Sequence, residues 1–244
     1  MPDFAIVSIV SNKGGCGKSM VSSNIAYQLK RQGVRVGILD ADVDSPYLSE
    51  MVGAAGKITL DSQRRMVPVL HRGVPLVSFS LWLPDAFAGA TMAGSSHERW
   101  ITDAIEHTAW GNIDMLIVDL PAGTSLDEYV LVKRVGGKRF LGVIAVAIPN
   151  VPSGLLRVHG TASFQAIRIL GVIENMSGDV FGRGSIAAFC KSKSLRFLGS
   201  IPLDARIRER HERHEPDVPE DLREPIRNAA AVIIESAKIK AVAR

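Results

Sequence analysis

Cysteine is scarce: the 244-residue sequence holds two, Cys16 and Cys190, far apart and in no CxxC pair. That argues against a disulfide framework and against a zinc site, and it is compatible with a reducing compartment. No uninterrupted apolar run reaches the roughly 18 residues that a membrane-spanning helix needs. The opening MPDFAIVSIV has no basic leader followed by a cleavage site, so the expectation is a cytoplasmic protein. Charge is not gathered in one block either. The net +4 comes from basic residues scattered through KRQGVR, VKRVGGKR and RIRERHER, the pattern of a solvated surface, with weak association to nucleic acid or another acidic partner as the alternative. Repeats, low-complexity tracts and Pro-, Gly- or Ser-rich linkers are missing as well, and one domain spanning 1–244 is the economical reading.

What the sequence does hold is enough apolar material, 46% of residues, for a sizeable core. Apolar runs of strand length recur at 4–10, 34–39, 74–79, 113–120, 140–148, 169–173 and 195–201, and most are separated by segments with helical spacing. Runs such as DMLIVDL and FLGVIAVAI show no polar alternation, the habit of parallel strands covered on both faces. The expected fold is therefore α/β, a doubly wound and mostly parallel sheet with helices on both faces. The irregular stretch 53–73, GAAGKITLDSQRRMVPVLHRG, is expected to be a small hairpin insertion.

Between the first apolar run and the first helical segment lies SNKGGCGKSM, at 11–20. From Asn12 to Ser19 it follows the phosphate-loop pattern GxxxxGK(S/T), with Asn12 in place of the first glycine. Glycines let consecutive N–H groups turn inward toward phosphate oxygens, and the following helix adds its positive dipole end. Asn tolerates left-handed backbone angles better than most residues. The expected nucleotide contacts are Asn12, Lys13, Gly14, Gly15, Cys16 and Gly17 in the loop, then Lys18, Ser19 and Met20 in the helix. Lys18 would reach the β and γ phosphates and the Ser19 hydroxyl would bind Mg²⁺. Cys16 stands where a helix N-terminus tends to lower a thiol pKa, which raises a redox role beside the plainer one of a small residue that fits the loop.

Lys13 is one lysine more than the phosphate-loop pattern requires. With it, the sequence resembles the deviant Walker A ATPases, the MinD, ParA, Mrp and nitrogenase iron-protein group, whose signature is KGGxGK(S/T). The resemblance implies that Lys13 reaches across a dimer interface to the partner's nucleotide, so that the ATP-bound form is a homodimer; the alternative is a solvent-exposed loop lysine. Met20 stands where this group usually has a threonine that touches the α-phosphate.

VRVGILDADVDSP places Asp40, Asp42 and Asp44 where a buried strand runs out, beyond which open α/β sheets bind ligands. The stretch looks like the DADIYGPS switch of Mrp proteins. By that resemblance Asp42 positions the attacking water and Asp40 supports the Mg²⁺ shell, an ordinary polar loop being the alternative; Asp44 departs from the pattern and has no assigned role. IDMLIVDLPAGTS ends a hydrophobic strand in Asp119, the Walker B arrangement. Asp119 would hold Mg²⁺ through water, and Gly123 would offer a backbone N–H near the γ-phosphate. The metal set is thus Ser19, Asp40, Asp42 and Asp119, and the catalytic set Asp42, Lys13 and Lys18.

Resemblance to the Mrp group grows toward the C-terminus, in GVIENMS at 171–177 and FLGSIPLDARIRE at 197–209. It implies that Asn175 meets the adenine edge and that Pro202 walls the base; a strand-end polar cap and a loop proline are the alternatives. Mrp-type carriers have a CxxC shortly after ENMS, which two subunits use to hold a cluster. Here the sequence reads ENMSGDVFGRGSIAAFC, with Cys190 alone, so a bridging 4Fe–4S cluster of that type is not expected. His211 and His214 in RERHERHEP have a spacing that metal sites use, but their charged surroundings read as a solvated surface. The amphipathic, basic tail from 224 reads as a final helix that packs Val232, Ile233 and Ala237 on the sheet, membrane association being the alternative.

The expectation is a Mg²⁺-dependent, slowly hydrolysing ATPase that dimerises on ATP and serves an unknown protein partner, related to iron-sulfur cluster assembly through its resemblance. The alternative is a partition or positioning ATPase whose ATP dimer binds DNA or membrane.

Overall fold

The computed structural model describes residues 3–11, 13–82, 94–121, 127–149 and 152–239. In chain order the elements are β1 (Ala5–Val10), α1 (Lys18–Arg31), β2 (Val36–Asp40), α2 (Leu48–Val52), β3 (Thr59–Leu60), β4 (Met66–Val67), β5 (Val69–His71) and β6 (Val74–Ser78). Next come α3 (Phe79–Trp82), α4 (Gly94–Glu106), β7 (Met115–Asp119), α5 (Asp127–Gly136), β8 (Phe140–Ala147) and α6 (Pro152–Phe164). The chain continues through β9 (Ile169–Ser177), α7 (Ser185–Ser192), β10 (Phe197–Pro202), α8 (Ala205–Glu212) and α9 (Glu224–Ala237).

Eight strands form one sheet in the order β10-β9-β8-β1-β7-β2-β6-β5, parallel except for β5. Helices cover both faces, as the unbroken apolar runs of β2 and β7 require: every residue of both strands is buried. The reversal of strand order around β1 and β7 leaves a crevice at the carboxyl ends, where an open α/β sheet takes its ligand. All seven apolar runs of the sequence become strands of this sheet.

The 53–73 stretch forms two antiparallel pairings. Thr59 and Leu60 pair with Val67 and Met66 in a separate two-stranded ribbon. β5 then turns back into β6 through Arg72 and Gly73, both with positive φ (51° and 69°), and so joins the main sheet at its edge. β9 runs past 173 to Ser177, which makes ENMS part of a strand. α9 packs on α1 and on β8 to β10, with Val232 and Ile233 buried and Ala237 partly so.

Candidate nucleotide site

Register brings the acidic residues together. β2 and β7 pair with Asp40 opposite Asp119, so the two carboxylates stand side by side on one face at the strand ends. Both are buried. β1 pairs with β7 on its other side and delivers the glycine-rich loop to the same place. Gly15 and Gly17 take left-handed angles, φ 72° and 79°, and Gly17 is the N-cap of α1. A Cβ at Gly17 would overlap the Asn175 side-chain nitrogen, so this position needs glycine for both its angle and its space.

Lys18, 5% exposed, folds back from the first turn of α1 to put Nζ 2.8 Å from Asp119 Oδ1. Burial works against its charge, but the Asp119 carboxylate outweighs that and holds the ammonium above its ordinary range. One helical turn on, Ser22 Oγ lies 2.7 Å from the same carboxylate oxygen. Asp119 Oδ2 is buried with no hydrogen-bond partner among the described residues.

Asp40 accepts from Ser78 Oγ at 2.9 Å and from the Asp42 N–H at 3.2 Å. Burial, then the neighbouring Asp119, push its pKa up to about 8. Asp42 is half-buried, and burial raises its pKa although its carboxylate accepts the Ser45 N–H at 3.0 Å. The chain turns after Asp40, so the three aspartates diverge. Asp44 faces α4 instead, its Oδ1 3.3 Å from His97 Nε2.

These groups flank or underlie a cleft of about 420 Å³. Its lining includes the loop and helix-start residues Lys13, Gly15, Gly17, Lys18 and Ser19, together with Asp42. The lining also includes Met20, Tyr47, Met51, Met176, Pro202 and Ile207, apolar surface suited to a flat heteroaromatic base. Gly14 is exposed on the loop, and Cys16 is buried beneath it. Asn12 and Gly123 lie outside the described residues. Asn175, 2% exposed, lines the cleft and donates from Nδ2 to the Cys16 carbonyl at 2.7 Å, so part of its hydrogen-bonding capacity fastens the loop.

Two sequence expectations change. Cys16 does not have the lowered pKa that a helix N-terminus suggests: burial raises it and outweighs Ser11 and Lys18 nearby, which favours the plainer reading of a small residue that fits the loop. His211 is not a solvated surface residue, since it is half-buried and lines the cleft with Arg208. His214 turns away, its Nδ1 3.1 Å from the Glu50 carbonyl. Ser22 and Ser78 were not singled out from the sequence. The signal for Ser22 was the polar run Ser22, Ser23 and Asn24 in a helix that buries all three; for Ser78 there was none.

A strand, a glycine-rich loop and a helix, whose first lysine pairs with a strand-end carboxylate of the neighbouring strand, define a P-loop nucleotide-binding protein. The family model described as ParA, NUBPL iron-transfer P-loop NTPase, matches residues 4–238, and the chain belongs to this family. It is 34% identical over 226 residues to the iron-sulfur cluster carrier protein of Aquifex aeolicus, covering 87% of this chain and 61% of that protein. It is 33% identical over 217 residues to the cytosolic Fe-S cluster assembly factor NUBP2 of Mus musculus, covering 83% of this chain and 79% of that one. A solved nucleotide-binding protein from Archaeoglobus fulgidus in complex with ADP superposes with a TM-score of 0.71 at 26% identity, with 87% of each chain covered.

Proposed function

We propose that the chain is a Mg²⁺-dependent ATPase that acts as a dimeric switch in iron-sulfur cluster assembly without holding a cluster on its own cysteines. The observation that carries this reading is the buried Lys18–Asp119 pair, with Asp119 Oδ2 unpartnered among the described residues. A buried carboxylate oxygen without a partner among the described residues suits the water shell of Mg²⁺, and the Ser19 side chain lines the cleft. Ser19, Asp119 and, behind them, Asp40 would hold the ion, which supplies charge neutralisation for the phosphates when bound.

Lys18 would exchange its carboxylate for the β and γ phosphates, and the loop N–H groups would donate to the remaining phosphate oxygens. Asp42, half-buried and lining the cleft, would orient the attacking water. Lys13 is exposed, lines the outer side of the loop and has no carboxylate partner among the described residues, which suits a cation reaching a second subunit's nucleotide. Asn175 and Pro202 would frame the base.

The names of the relatives support a place in cluster assembly, while this chain's thiols do not support carriage. Cys190 is 1% exposed, and burial, with Glu174 nearby, pushes its thiol up to about 11. Among the described residues no group of three or more His, Cys, Asp or Glu side chains is arranged to hold a metal ion.

The test is turnover with Mg·ATP by the wild type and by Lys18→Ala, with iron and sulfide assayed after anaerobic reconstitution. Slow hydrolysis abolished in Lys18→Ala, with no stoichiometric cluster, is expected. Equal turnover in the two proteins would remove the enzyme reading, and a stable cluster would remove the statement about cargo.

A further inference from the structure

A second cavity, of about 550 Å³, shares no lining residue with the nucleotide cleft and is bounded by the β3–β4 ribbon and by α3 and α4. One wall is aromatic. The rings of Phe79 and Trp100 meet edge to face at 5.1 Å, and those of Trp82 and Trp100 lie 6.1 Å apart. Trp100 is 7% exposed, and its indole N–H has no acceptor among the described residues.

The other groups are polar. Two arginines, Arg64 and Arg99, line the cavity with His107 and one carboxylate, Asp103. Asp103 is shared by Arg99 at 3.6 Å and His107 at 3.1 Å, while Arg64 has no carboxylate partner among the described residues. Half-exposed Leu60 extends the apolar surface to the rim. The occupant that fits such a site has an apolar side chain for partly buried Trp82 and for Leu60 and a carboxylate for Arg64. Nucleic acid fits less well, because Phe79 and Trp100 are too buried to offer open faces on which bases could stack.

Both walls of the cavity also reach the acidic loop after β2. Ser80, which follows Phe79 on α3, has Oγ 2.9 Å from Ser78 Oγ, and Ser78 donates to Asp40. On α4, one turn before Trp100, His97 meets Asp44. A ligand that shifts α3 or α4 therefore acts on the residues flanking Asp42.

We propose that this groove binds an acidic peptide segment of a partner protein, anchored by an aromatic or leucine side chain, and that binding is coupled to the nucleotide site through His97–Asp44 and Ser80–Ser78–Asp40. The coupling rests on the nucleotide reading above, whereas peptide binding does not.

The probe is the peptide Ac-DEDFLEDE-NH₂, titrated into the full chain while tryptophan fluorescence is followed. A saturable change is expected, weakened about tenfold or more by Arg64→Glu and by Trp82→Ala, as loss of one charge-assisted contact or of one aromatic face implies. Affinity for a fluorescent ADP analogue should change on adding the peptide, and that change should shrink in His97→Ala and vanish when Ser80→Ala is added, while peptide binding persists.

No saturable signal up to about 1 mM peptide, or equal binding of Ac-KRKFLKRK-NH₂, would overturn the groove's assignment. Binding gained only when residues 83–93 are replaced by a glycine-serine linker would assign the groove to the chain's own connection and overturn it as well. Peptide binding with ADP affinity unchanged, in a protein shown to bind ADP, would overturn the coupling alone.

Discussion

Replacing Lys18 by methionine removes a charge and little volume, so its cost reports on the buried pair directly. Lys18 and Asp119 are 5% and 0% exposed with 2.8 Å between them, which puts the pair among those whose rupture costs about 3–5 kcal/mol. Two features of the site adjust that figure. Ser22 Oγ still donates to Asp119 and softens the loss, while Asp40, in register beside it, adds repulsion once the cation is gone. The folded variant relieves that repulsion by taking up a proton that the unfolded chain releases. Its penalty should therefore grow with pH, by up to ~1.4 kcal/mol per unit for each proton. Urea unfolding of nucleotide-free protein at pH 6 and pH 8 should give Lys18→Met a lower stability at both, with the larger deficit at pH 8. Lys18→Met with Asp119→Asn should recover about 2 kcal/mol or more, because the uncompensated charge is then absent. A Lys18→Met protein within about 1 kcal/mol of wild type at both pH values would mean that the pair contributes no net stability, and the reasoning would fail.

Gly17→Ala combines a left-handed backbone angle with an overlap at Asn175, so it should destabilise by about 2 kcal/mol or more and abolish nucleotide binding, as thermal melts with and without ATP would record. The raised folded-state pKa of Asp40, about 8 against an ordinary 3.8, gives a contribution present in full below about pH 4 and lost as pH rises through 8. Wild-type stability should decline across that window at up to ~1.4 kcal/mol per unit, and Asp40→Asn should flatten the decline in urea midpoints. Glu174 is fully buried and accepts from the Gly184 and Ile186 N–H groups, each at 3.2 Å, and from Ser200 Oγ at 2.8 Å. Glu174→Ala should lower stability by about 3 kcal/mol and expose α7 to limited proteolysis, whereas Glu174→Gln, which keeps an acceptor, should lower it less.

The sheet was legible because parallel strands buried on both faces leave unbroken apolar runs, as in MLIVD and AIVSIV. β5 left no such mark: it has three residues, is only partly buried and is held by a tight turn at Arg72 and Gly73. The phosphate loop could be read because its demands are local, namely glycines, a lysine and a helix start. Ser22 and Ser78 become visible only once register sets Asp40 beside Asp119, a long-range fact that no window of sequence holds. His211 misled for a related reason. Its neighbours are charged, yet α8, capped by Asp204 accepting the Arg206 N–H at 2.8 Å, turns this one side chain toward the cleft. Cys16 shows a competition the sequence could not weigh, in which burial raises a thiol pKa more than a helix terminus and Lys18 lower it.

The central claim is an ATP-dependent dimer that needs Lys13, and light scattering tests it most directly. Molar mass should double for Asp42→Asn with Mg·ATP, remain that of the 26.3 kDa monomer with ADP, and stay monomeric with either nucleotide when Lys13→Ala is added. A mass indifferent to nucleotide in a protein shown to bind ATP would contradict the account.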